Sequence, residues 1–188
     1  MQSFLPLSRR RFLAVSAAAT LVAGCDNSVG TDGATRIDNR VNATRDFLFR
    51  SYPGTRELET KAAGVLWMPL VTKAGFFVGG GYGTGALRIS NITVDYYEAI
   101  QASAGLQIGA QQYAHALFFM TPEALVAFRT SPGWSAGADA TYALIDQGGN
   151  LSAQTLISRD PVIALVFGQT GLIVGATLEG TKYRRIVP

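Results

Sequence analysis

From residue 64 to residue 187, short apolar runs return at close spacing, with glycine, asparagine or proline between them. The runs at 64–70, 86–90, 92–97, 114–120, 138–145, 151–157, 162–167, 172–178 and 182–187 are five to eight residues long. That is strand length, and the runs are rich in branched and aromatic side chains. Residues 106–111 alternate as a half-buried strand does. So many short strands with glycine turns predict an α+β fold: an antiparallel β-rich sandwich or barrel-like core with an N-terminal helical segment and one internal helix. A chain of 188 residues with 48% hydrophobic content is enough for one such core.

The internal helix is marked by its start. Thr121 is a good N-cap, Pro122 fits the first helical position and Glu123 suits the first turn, so 122–130 should be helical. The N-terminal helix is expected over 36–52, where Ile37, Val41, Leu48 and Tyr52 fall on one stripe and Pro53-Gly54 stops the run. A second short helical piece is expected over 56–63.

Residues 73–89, "KAGFFVGGGYGTGALRI", hold six glycines, and Gly81 to Ala86 match a relaxed dinucleotide fingerprint. A phosphate loop requires a helix directly after it, so that the helix N-terminus meets the pyrophosphate. The next residues are instead "LRISNITVDYY", which is β-branched and aromatic, and no lysine stands at Walker spacing. The glycines are therefore expected to allow positive φ and close strand approach in a hairpin.

The first 24 residues read as an export signal. Arg9, Arg10 and Arg11 precede an apolar run over 12–23 that is too short to span a bilayer, and small residues lead to Cys25. Ser8-Arg9-Arg10-Arg11-Phe12-Leu13 resembles a twin-arginine export signal. Val22-Ala23-Gly24-Cys25 resembles a lipobox, in which the signal is cut before the cysteine and the thiol is lipidated. Cys25 is the sole cysteine, so no internal disulfide forms. The competing reading makes Cys25 an incidental small residue at the end of a membrane anchor. Residues 25–35 would be a lipidated, flexible linker and 36–188 the folded domain. The expected location is the bacterial cell envelope, lipid-anchored to the inner or outer membrane and facing the periplasm; Asp26 resembles an inner-membrane retention signal.

Loss of three arginines with the signal leaves 13 basic and 13 acidic residues. A neutral domain without basic clusters offers little field for nucleic acid. His115 is the single histidine, so no multi-histidine metal site can be assembled; a Ser-His-Asp triad would have to use it, in what reads as mid-strand, and no nucleophile elbow is present. We expect no catalytic residues, no metal and no cofactor, with His115 pointing outward from a half-buried strand. The carboxylate pairs Glu57 with Glu59 and Asp139 with Asp146 carry no distinctive spacing.

On the helix over 36–52, Phe47 projects among Arg36, Arg40 and Arg50. An interfacial helix uses that pattern, with the ring in the acyl boundary and guanidiniums on phosphates. The alternative is that Phe47 packs under a loop while the arginines pair with Asp38, Asp46 and Glu57.

The blocks "AAGVLWMP", "TKAGFFVGGGYGTGALRI", "SAGLQIGAQ", "LFFMTPEALVAF", "GWSAGAD" and "DPVIALVFGQTGLIVGATLEGTKYRRI", in this order over about 61–186, resemble the lipid-binding SYLF domain in its bacterial lipoprotein branch. The resemblance implies a non-catalytic module that binds membrane phospholipids. In the family, lipid contact is attributed to a basic amphipathic N-terminal segment and nearby lysines. By position these are residues 36–52 with Lys61 and Lys73, which adds to Arg36, Arg40, Phe47 and Arg50. Some eukaryotic relatives bind phosphoinositides and actin. Here the helix mixes arginines with acids and no Src-homology or zinc-finger domain is appended, so neither partner is expected. The second hypothesis is a cell-envelope structural or protein-interaction module, localised by its lipid, with exposed aromatics such as Trp134 lining the interface; Trp134 as a core plug is the other reading of that residue.

Overall fold

A strand with apolar residues on both faces belongs inside a sheet, and β1 (Gly64–Phe76) is such a strand. Leu66, Met68 and Val71 enter one hydrophobic cluster, while Val65 and Trp67 enter another. In the computed structural model, which describes residues 31–76, 78–104, 109–136, 141–144, 160–171, 178 and 180–188, β1 pairs antiparallel with β2 (Val78–Ile89) and with β4 (Gly109–Phe119). Adding β3 (Ile92–Ala104), β5 (Trp134–Ser135), β6 (Thr141–Leu144), β7 (Val162–Gly171) and β8 (Thr181–Ile186) gives one eight-stranded sheet of order β5-β8-β3-β2-β1-β4-β7-β6. The α+β, barrel-like expectation is met by this single curled sheet with its helices. One edge departs from it: β6 pairs parallel with β7. The chain between those two strands is long enough for the crossover that parallel pairing needs.

The glycine stretch lies inside two long strands, with Phe76 opposite Val78. Among its described glycines the backbone stays at negative φ; positive φ occurs at Gly168 and Gly180. Close approach is what these glycines supply. Trp67 faces Ala86 but Leu70 faces Thr84, so Met68 and Pro69 together oppose Gly85 in a β-bulge. Pro69, which has no amide hydrogen to give, sits at the one kind of place an interior strand tolerates it. The bulged backbone of β1 leans over β2: a Cβ on Gly83 would stand 2.5 Å from the Leu70 carbonyl oxygen, and one on Gly85 would collide with that of Trp67.

The sheet curls strongly. β8 and β4 are separated by three strands, about 19 Å if flat, yet the Tyr183 hydroxyl and His115 Nε2 share a 2.7 Å hydrogen bond. Tyr113 on β4 likewise reaches Gln101 on β3, at 3.4 Å. The concave face so formed is closed by α3 (Pro122–Thr130), through Leu125 and Phe128, and by Trp134, whose ring lies 5.5 Å from Phe128 and 5.8 Å from Tyr183. Trp134 is thus a plug on this core. The cap of α3 is as the sequence predicts: the Thr121 side chain accepts from the Ala124 amide, with Pro122 next.

The convex face is covered by α1 (Thr31–Ser51), followed by α2 (Thr55–Lys61). Ile37, Val41 and Leu48 are buried against Trp67, Phe118 and Phe167, with Tyr52 packed beside them. Each aliphatic side chain of that stripe contributes about 1.5–3 kcal/mol. The helix starts at Thr31, so 31–35, expected as linker, form its first turns. The leader, Cys25, Asp139, Asp146 and the run at 151–157 lie outside the described residues. Ser90 (φ 50°) and Asn91 (φ 63°) turn β2 into β3, as a tight hairpin requires.

Gly85→Ala should destabilise the protein by about 3 kcal/mol or more, since the colliding atom is backbone. Gly80→Ala, where the new Cβ would meet only the Gln101 carbonyl at 3.6 Å, should be neutral or mildly stabilising. Urea unfolding of the two variants checks the contrast.

Candidate functional site

The two flanks of α1 meet different surroundings. One is lashed to the β2–β3 hairpin: Asp38 accepts from Thr93 Oγ1 at 2.7 Å and from the Tyr96 hydroxyl at 2.9 Å, and Arg88 donates to Asn42 Oδ1 at 2.7 Å. Arg88, 7% exposed, lies 3.6 Å from Asp38. On the same side Arg45 makes two 2.7 Å hydrogen bonds with Glu59 of α2, which raise its pKa, and the Arg45 and Arg56 guanidiniums lie 4.8 and 4.9 Å from the Phe49 ring centre. Glu57 is taken by Lys61, at 2.7 Å. Asp38, Glu57 and Glu59 are therefore engaged by residues other than Arg36, Arg40 and Arg50.

The opposite flank carries Arg36, Arg40, Ala43, Phe47 and Arg50, spaced by three or four residues so that they share one side. Phe47 is 43% exposed and stacks on Phe167 at 6.3 Å. Arg36, Arg40 and Arg50 are exposed, and none of the three forms an ion pair among the described residues. Beside this flank an open groove of about 270 Å³ runs between Ala43, Thr44 and Phe47 of the helix and Pro69, Leu70 and Ala114 of the sheet. The β1 bulge creates it by pushing Leu70 outward, to 40% exposure.

Of the six lipid-contact residues expected from sequence, the fold brings together Arg36, Arg40, Phe47 and Arg50. Lys61 is exposed but sits on α2, which packs on the Arg45 flank and not on that of Phe47. Lys73 is a correction: it is 3% exposed, and burial lowers the pKa of its ammonium. Its position on β1 points it into the concave face, level with Gln111 of β4, Gly81 of β2, Gln101 of β3 and Thr181 of β8. The polar side chains of this row, Lys73, Gln101, Gln111 and Thr181, are all buried. The row is hidden from sequence reasoning because alternation shows which residues share a face and not which face is inside.

His115 is a second correction. It is fully buried beside Tyr113 and Tyr183, because on the curled sheet its side of β4 is the closed side. Burial holds its pKa down at about 3 and pushes Tyr113 up to about 12. Neither group is poised for proton transfer near neutrality. The imidazole works as a neutral core side chain.

Residues 100–185 match the family model described as Ysc84, Las17-binding protein actin regulator, which is the SYLF family. Over that stretch the chain is similar to the SYLF family. The match runs from the end of β3 into β8, so the matched stretch supplies much of the concave core, while α1, β1 and β2 precede it. No curated protein matches the chain.

Because His115 titrates at about 3 when folded and near 6.5 when unfolded, the unfolded chain alone takes up the proton between those values. Stability falls as pH drops through that window, by up to about 1.4 kcal/mol per unit. His115→Gln removes this share, so the gap in unfolding free energy between wild type and variant should narrow from pH 7 to pH 4. A gap that stays constant with pH would contradict a buried neutral imidazole.

Proposed function

We propose that this chain is a lipid-anchored cell-envelope protein whose SYLF domain binds membrane phospholipid through the outward flank of α1. SYLF domains are a lipid-binding family, and that coarse function comes with the matched region. The observation that carries the finer reading is the set of Arg36, Arg40 and Arg50 around the half-exposed Phe47, without an ion-pair partner for any of the three among the described residues. Such cations do little for folding, since exposed charges contribute a fraction of a kcal/mol. Against an anionic bilayer each contributes about 1 kcal/mol, and the ring adds apolar insertion.

Cys25 is the proposed anchor. Its acyl chains would hold the domain at the surface, so α1 needs only weak intrinsic affinity. The SYLF core acts in this reading as a rigid, non-catalytic support. Las17 binding and actin regulation belong to the description of the family model and form no part of the proposal.

A soluble version starting at Asp26 should float with anionic vesicles at low salt and be released as salt rises. Replacing Arg36, Arg40 and Arg50 by alanine should remove about 3 kcal/mol of that affinity. Failure of the unmutated domain to bind anionic vesicles under any salt condition would overturn the lipid-contact assignment. For the anchor, mass spectrometry of the mature protein should find residue 25 as the N-terminus with diacylglyceryl on its thiol; an intact leader and free thiol would remove it.

A further inference from the structure

The groove beside α1 has features that headgroup attraction alone does not explain. Its walls are Phe47 and Leu70, two large apolar side chains left about two-fifths exposed, and Phe167 and Ala114 form its floor. At about 270 Å³ it is smaller than the sites that enclose whole small molecules. Arg40 lies one turn before Ala43 and Thr44, and Arg50 one turn after Phe47, so guanidiniums stand at both ends of the same helix flank. Beyond the groove no described element covers the sheet: Thr72, Tyr82 and Ile100 sit side by side across β1, β2 and β3, with Tyr82 55% and Ile100 43% exposed. An outward sheet face in water ordinarily carries charge; in this cross-strand row the charge is Lys182, next to Ile100, and in the next row along the strands Glu98 is paired with Arg184.

We propose that the groove is a slot for one acyl chain of an anionic phospholipid. The acyl chain lies between Phe47 and Leu70, its phosphate is held by the guanidinium at one end of the flank, Arg40 or Arg50, and the Tyr82–Ile100 face rests on the bilayer. The cations select this occupant. A second copy of the chain would bring the same arginines against each other, whereas a phospholipid supplies an anion and hydrocarbon on one molecule at the spacing of a helix flank. This inference rests on the lipid-binding reading and adds where the lipid's apolar part goes.

The test uses the full chain with Leu70→Trp as a reporter, its signal taken against the parent, in phosphatidylglycerol-containing vesicles whose acyl chains are brominated. Quenching of the reporter is expected. It should persist in Cys25→Ser, because the chain comes from the bilayer and not from the anchor. Ala43→Phe, which fills the groove from an exposed position and leaves the core alone, should abolish most of the quenching with the unfolding midpoint unchanged. Arg40→Glu with Arg50→Glu should abolish the preference for anionic over zwitterionic vesicles. Quenching that survives in Ala43→Phe, or that disappears in Cys25→Ser, overturns the slot. A reporter that is never quenched while the domain still floats with vesicles overturns the slot alone; absence of both signals overturns the lipid-binding reading with it.

Discussion

The contact between the bulged backbone of β1 and the bare face of β2 sets the shape of this domain. Two carbonyls, from Trp67 and Leu70, occupy the space where side chains at 85 and 83 would begin. Hydrogen-bonded strands come this close only when one of them has no Cβ to offer. The sheet bends at that place, and distant strands then face one another across a closed interior. The Tyr183–His115 hydrogen bond, between β8 and β4 with three strands between them in the order, depends on the bend. So does the outward displacement of Leu70, which makes one wall of the groove. The glycines therefore act through volume, and the same bulge that tightens the core shapes the outer surface.

The N-terminal helix separates two kinds of work by angle. Its inward stripe, Ile37, Val41 and Leu48, excludes water from Trp67 and Phe118 and supplies most of what holds the helix in place. Asp38 and Asn42 fix its direction through Thr93, Tyr96 and Arg88, and Arg45 ties it to α2. Arg36, Arg40 and Arg50 take part in neither job, and Phe47 only at its edge, where it stacks on Phe167. The three arginines stay exposed beside the half-exposed Phe47, without an ion-pair partner among the described residues. In the described interior the buried imidazole is held neutral, and the buried tyrosine beside it stays protonated.

Local signals are legible where a short stretch of chain decides its own conformation. Thr121 and Pro122 start α3, Asn91 marks the β2–β3 turn, and the stripe on α1 faces the core, because caps, turns and helical periodicity depend on residues within one or two turns. Lys73 and His115 defeat that reasoning for a common reason. Chemical type assigns each to the outside, whereas the curl of the sheet puts each inside. The glycine stretch is strand and not a phosphate loop, as its sequence predicts, yet its described φ angles stay ordinary, since the need it meets is for space against another strand.

The amino-acid sequence by itself determined the α+β character, the bounds of α3, the stop of α1 at Pro53-Gly54, the apolar character of β1 and the cationic flank around Phe47. These are written in spacing, and spacing acts over a few residues. Only the tertiary structure decided that the sheet curls, that Lys73 and His115 lie inside, that Asp38 is claimed by β2 and β3, and that Leu70 joins Phe47 in one groove. Those outcomes depend on which backbones approach each other closely, and that is fixed by pairings between residues far apart in the chain.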